Sequence, residues 1–179
     1  MVNEPKQWLF EAKKAARLMF PRMPEEVFEL WLDERIESNG WPPAGDRWRG
    51  ALCELSPTTW SAMEWEKKSV ALSLNAFTTQ SQEIVVNLID AVFYGHANYV
   101  SRYVGDSEKR MFSIREFLEH QRKIPGTVVL LDRNGRFEIV EGCHRLATLC
   151  FMQGMPGSGI LKPHNEIAWI ATMPTKYAV

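Results

Sequence analysis

A chain of 179 residues is long enough for one well-buried core and cramped for two full domains. With 45% hydrophobic residues, 24% charged residues and a formal net charge of -1, it has no global basic field of the kind a dedicated DNA-binding domain presents. No apolar run approaches the roughly 20 residues that cross a bilayer. The opening Met1-Val2-Asn3-Glu4-Pro5 lacks the layout of a secretory signal. Three cysteines, Cys53, Cys143 and Cys150, are odd in number and without metal-ligand spacing. The expectation is a cytoplasmic, reduced protein with no membrane partner, its core or a partner surface rich in aromatics.

In chain order, residues 4–20 read as a helix, with Pro5 in the first turn and Trp8, Ala12, Ala15, Ala16 and Met19 on one face. A second helix is predicted from about Pro24 to Ser38, turning Phe28, Trp31, Leu32 and Ile36 inward and stopping at Asn39-Gly40. Together they form an N-terminal helical hairpin, 1–40, packed on a main domain, 41–179, after the loop-like Trp41-Pro42-Pro43-Ala44-Gly45-Asp46. That aromatic-rich hairpin is also a candidate homodimer or partner surface. A short strand is expected over 51–55. Ser56-Pro57 then starts a helix carrying Trp60 and Met63. Alternation at Val70, Leu72, Leu74 and Ala76 suggests a half-buried strand, and Thr79 with Gln82 a capping box opening a helix through Ile84, Leu88, Ala91 and Val92.

From Gly95 to Phe112 no period is clear, and the expectation is a short helix plus loop in which His96, Arg102, Lys109 and Arg110 form a solvated connection, with a lid or substrate loop as the alternative. Ser113 and Glu116 form a second capping-box pattern ahead of Ile114, Phe117, Leu118 and Gln121. Asn134-Gly135 between two apolar runs, 128–131 and 137–140, is a strong hairpin signal. Glu141-Gly142-Cys143-His144-Arg145 then turns the second strand into a helix with Leu146, Leu149, Cys150 and Gln153 at helical spacing, stopped by Gly154 before Met155-Pro156. A Gly- and Pro-rich loop over 154–163 leads to a last strand, 167–170. Gly157-Ser158-Gly159 reads as flexible loop, and Trp41 with Trp48 and Trp60 with Trp65 as packing pairs rather than base stackers.

The motif builds a phosphate site from elementary parts. A helix N-terminus presents backbone N–H groups and the positive pole of the dipole. Gly142 lets a ligand approach without a Cβ in the way. Arg145 is permanently charged and can fork onto phosphate oxygens, and His144 adds a donor. Cations in a first turn oppose the dipole and call for a compensating anion. Glu141 is of the type that holds Mg²⁺ beside phosphates. Cys143, at the helix start beside Arg145, sits where a thiolate is favoured.

Helix, hairpin, Gly-x-His-Arg turn, helix and last strand, over about 113–172, resemble the ParB/sulfiredoxin superfamily. The resemblance implies an α+β fold, a small mixed sheet flanked by helices, and nucleotide phosphates bound at Gly142, Cys143, His144 and Arg145. Gly142-Cys143-His144-Arg145 is identical to the sulfiredoxin element, in which the Cys is the nucleophile. Glu141, however, replaces the second Gly of sulfiredoxins. The Glu141-Gly142-x-His144-Arg145 form resembles ParB-like and free-serine-kinase-like members, in which the acid binds Mg²⁺ or moves protons. Few residues follow Trp169, which disfavours a partition protein.

Motif and resemblance together lead to the expectation of an ATP- or NTP-dependent phosphotransferase or NTP hydrolase with Mg²⁺. Glu141, His144 and Cys143 are its candidate catalytic residues. The acceptor, a small molecule or a protein, is left open. The alternatives are a sulfiredoxin-like reductase using Cys143 and a non-catalytic module binding nucleic acid or a partner. Near-neutral charge disfavours duplex binding.

Overall fold

A computed structural model of the chain describes residues 4–96 and 104–174. The protein is α+β: a four-stranded mixed sheet flanked by helices, with an N-terminal helical part. It divides into two compact units. One comprises the described residues of Met1–Glu66 and Ile170–Val179, the other Lys67–Trp169. The expected boundary after residue 40 falls within the first unit.

In the first unit, α1 (Glu4–Met19) meets a second helical rod built from α2 (Glu25–Val27), a single π turn (Phe28–Leu32) and α3 (Asp33–Asn39). Phe28, Trp31, Leu32 and Ile36 are buried, as their spacing predicts. On α1 the buried stripe is Ala12 and Ala16, continued by Phe20, while Trp8, Ala15 and Met19 are exposed. Small side chains let the two rods approach, and Lys13 bridges them by pairing with Asp33 at 3.0 Å and Glu37 at 3.2 Å. Gly40, at φ 78°, closes the rod by donating its N–H to Ile36 O.

The expected strand over 51–55 is absent. α4 (Asp46–Ala51) occupies the stretch before it, and Cys53 and Glu54 are left-handed at φ 52° and 60°, which no strand tolerates. Trp48, whose Nε1 donates to Gly40 O, drives that packing instead. α5 (Pro57–Ala62) starts as predicted: Ser56 Oγ accepts from Thr59 N at 3.0 Å, and buried Trp60 donates to Leu52 O and lies 4.6 Å from the Trp31 ring.

The sheet order is β1-β4-β2-β3, from β1 (Glu64–Leu72), β2 (Val128–Arg133), β3 (Arg136–Glu141) and β4 (His164–Thr172). β1 starts six residues before the predicted alternation, and Leu74–Ala76 is a 3₁₀ turn rather than strand. β2 and β3 form the expected antiparallel hairpin, Arg133 opposite Arg136, with Asn134 at φ 57° and Gly135 at φ 86°. Two consecutive positive φ values are those of the turn that matches strand twist. β2 is apolar and buried from Val128 to Leu131.

Three helices, α6 (Thr79–Phe93), α7 (Val104–Gln121) and α8 (Cys143–Gly154), pack on one another in the second unit. The N-cap of α6 is Thr78, not Thr79: its side chain accepts from Ser81 N, while Gln82 Nε2 donates to Phe77 O. Its buried stripe is Ser81, Val85 and Leu88. The second predicted capping box does not exist, because Ser113 and Glu116 lie in the middle of α7, which begins nine residues earlier. Phe93 stacks on Phe151 at 3.8 Å and meets Phe112 edge-on, joining the three helices. Among the described residues, no helix is long and apolar enough to cross a membrane.

Candidate functional site

The motif turn depends on one glycine. β3 ends at Glu141, and Gly142, at φ 104° and ψ 23°, is the N-cap from which α8 starts. A Cβ there would stand 2.6 Å from Val128 Cγ1, so the sharp strand-to-helix step admits no side chain. Gly142 O accepts from Leu146 N at 3.0 Å, and no side chain caps the helix end. The first-turn N–H groups of a helix have no acceptor within it, and with the dipole they leave a concentration of positive potential at this end.

That end opens into a cleft of about 500 Å³. The turn contributes Glu141, Gly142, His144 and Arg145, the loop before β2 contributes Pro125, and α7 contributes Asp106, Lys109, Arg110, Ser113 and Ile114. Three basic side chains, Lys109, Arg110 and Arg145, face two acidic ones, Asp106 and Glu141. Asp106 and Arg110 pair along α7 at 3.2 Å. The balance is positive and sits beside the positive pole of α8.

Arg145 has a structural task first. Its side chain is 16% exposed; Nη1 donates to Thr127 O at 2.8 Å and Pro125 O at 3.3 Å, and Nη2 lies 3.6 Å from Glu141 Oε1. Burial works against its charge, which Glu141 and Cys143 support. The guanidinium thus ties the loop before β2 to the motif turn and fixes one cleft wall. The sequence predicts a free phosphate fork at this position; much of the fork is engaged on the protein's own carbonyls.

His144 is partly buried, and desolvation lowers its pKa. Arg110 and Arg145 push the same way and Asp106 opposes them, so the ring is neutral at pH 7. Its Nε2 lies 2.9 Å from Ser107 Oγ, and its Nδ1 3.6 Å from Cys143 Sγ. Cys143 is half-buried, whereas the Cys150 thiol, inside the helical layer, is pushed up to about 12 by burial. No family model, curated protein or solved structure matches the chain.

All five residues of Glu141–Arg145 meet at one turn. Lys109 and Arg110, read from sequence as a solvated connection, line the cleft instead. Asp106, Lys109, Arg110 and Ser113 stand at helical i, i+3, i+4 and i+7, the pattern that could have placed them on one face. His96 is exposed after α6, and Arg102 lies outside the described residues. Ser158 serves its own loop, donating to Met152 O and accepting from Ile160 N, and its carbonyl accepts from Arg122. The tryptophan pairs Trp41–Trp48 and Trp60–Trp65 pack within the first unit, Trp48 and Trp60 buried. As to Mg²⁺, the cleft fits an ion that takes one carboxylate, Glu141, and otherwise phosphate oxygens. Among the described residues there is no cluster of three His, Cys, Asp or Glu of the kind an all-protein cage needs.

Proposed function

We propose that this cleft takes the phosphates of a nucleotide, and that the protein is a nucleotide-dependent phosphotransferase or NTP hydrolase. One observation carries the reading: a helix N-terminus entered through Gly142, without a side-chain cap, opens into a cleft with three cations and a neutral His144. A polyanion there meets the α8 pole on one side and Lys109 and Arg110 on the other. Glu141 would hold Mg²⁺, which adds charge neutralisation at the phosphates when bound. His144, being neutral, can donate to a phosphoryl oxygen or accept an acceptor's proton without first losing one.

Calorimetric titration of Mg·ATP into wild type, His144→Ala and Arg110→Ala tests this, with CTP and GTP in parallel. Saturable binding, weakened in both variants, supports it; no binding of any of the three to wild type overturns it. A second reading rests on the 3.6 Å approach of Cys143 Sγ to His144 Nδ1 at a helix start: a sulfiredoxin-like nucleophilic thiol. The two separate cleanly. Cys143→Ser abolishes turnover if the thiol attacks and leaves it nearly intact if phosphoryl transfer is carried by Glu141 and His144.

A further inference from the structure

Glu166, on β4, is only 6% exposed, and a carboxyl group so deep in a fold needs hydrogen-bond partners. Its Oε1 accepts from Ile124 N at 2.7 Å. His164, on the same strand, has Nε2 3.0 Å from Arg122 O and 3.3 Å from Glu166 Oε1. A carbonyl only accepts, so Nε2 carries the proton and donates. These two β4 side chains hold the start of residues 122–127, the strap that joins α7 to β2 outside any helix or strand. The cleft holds its other end. Arg145 Nη1 donates to Pro125 O and Thr127 O, and a Cβ on Gly126 would stand 3.2 Å from that nitrogen.

We propose that Glu166 is a positioning residue for the cleft: by holding Ile124 N it fixes the strap whose carbonyls orient the Arg145 guanidinium. Its use rests on the phosphate reading, whereas the link from Glu166 to Arg145 does not. That link is short and stiff. Ile124 N and Pro125 O belong to neighbouring residues; the proline ring fixes one dihedral between them, and a residue before proline is confined to extended backbone. A displacement at Ile124 N is therefore carried to Pro125 O rather than absorbed. Ile124 is 2% exposed, so without Glu166 its N–H becomes a buried donor with no acceptor from that side chain. Movement toward water relieves it, and the acceptors of Arg145 move with it. Glu166 is not among the residues that line the cleft, so its effect there runs through the strap.

The test follows the Arg145 Nε–H signal by ¹H–¹⁵N NMR in the ligand-free full chain, assigned from Arg145→Lys, and titrates pyrophosphate into the same samples by calorimetry. Glu166→Ala should move the Arg145 signal toward that of a solvated arginine and weaken pyrophosphate binding about five-fold, the loss of roughly one hydrogen bond. Glu166→Gln, which keeps an acceptor for Ile124 N, should restore both. Glu166→Asp, one methylene short, should behave as alanine does and serves if the alanine variant does not fold. Ile36→Val, a buried change in the first unit, should leave both readouts unmoved. An Arg145 signal that stays at its wild-type position in Glu166→Ala and Glu166→Asp overturns the proposal, as does a Glu166→Gln variant no better than alanine. If the signal responds as stated but neither pyrophosphate nor Mg·ATP binds wild type, the phosphate reading fails and the positioning of Arg145 stands.

Discussion

Gly142→Ala puts the motif turn under the most direct strain. At φ 104° a side chain adopts a backbone region that costs an L-residue about 1–2 kcal/mol. The added methyl would meet Val128 Cγ1 at 2.6 Å, and Val128 is fully buried at the start of β2 and cannot swing into solvent. Forcing a methyl into a packed core costs about 1–3 kcal/mol more. A central total of about 3 kcal/mol lowers the melting temperature of a chain of this size by roughly 6–12 °C. Far-UV circular dichroism melting, with Gly154→Ala beside it, is the assay. Gly154 ends the same helix outside the left-handed region, and a methyl added there would have nothing within 4 Å. Alanine there should be neutral or favourable by about 0.5 kcal/mol. A Gly142→Ala midpoint within about 2 °C of wild type, less than 1 kcal/mol, would refute the account of why the motif has glycine.

Arg145→Ala removes donors from Pro125 O and Thr127 O and a partner from Glu141, and should cost about 2–4 kcal/mol in urea titration; Arg145→Lys, which cannot fork, recovers only part. His144 has a folded pKa below the unfolded 6.5, so the unfolded state binds more protons and stability falls as pH drops from 6.5 through the folded value. His144→Gln should flatten that slope in urea midpoints measured from pH 7.5 to 5. Glu166→Ala should destabilise by about 1–3 kcal/mol, because Glu166 Oε1 accepts from the buried Ile124 N–H at 2.7 Å, whereas Glu166→Gln keeps an acceptor there and should be milder. Iodoacetamide at pH 8 should leave Cys150 unmodified in the native protein, read by peptide mass, since burial holds it as the thiol.

The elements legible in the sequence are those decided locally. Asn134-Gly135, Ser56-Pro57 and the Gly142 step each need a particular backbone conformation that few residues supply, and each lies where its chemistry predicts. The rest depends on neighbours far along the chain. β1 is an outer strand whose Glu64, Glu66, Lys67 and Lys68 are not buried in alternation, so its first half carries no period-2 signal. The stretch over 51–55 is apolar enough for a strand, but it feeds Trp48 and Trp60 packing across a left-handed pair. α7 hides because its apolar stripe is interrupted by Ser107 at a core position. Half of the cleft, the Glu141–Arg145 half, is readable from the sequence; the α7 half requires knowing that 104–112 is helical.

The outer side of β3 has a further consequence. Thr78 N donates to Phe137 O, Ile139 N donates to the buried Ser81 hydroxyl, and Phe77 forms a parallel bridge to Phe137. The chain around the α6 start therefore uses the backbone groups that an incoming β-strand would pair with. At the opposite rim, β1 presents charged side chains. One margin of the sheet is thus partly covered and the other carries charged side chains, two features that disfavour growth by strand addition, the first step of ordered aggregation. Uncovering β3 would require the α6 start to detach, and Ser81→Ala, which removes a partner from Ile139 N, should loosen that cover.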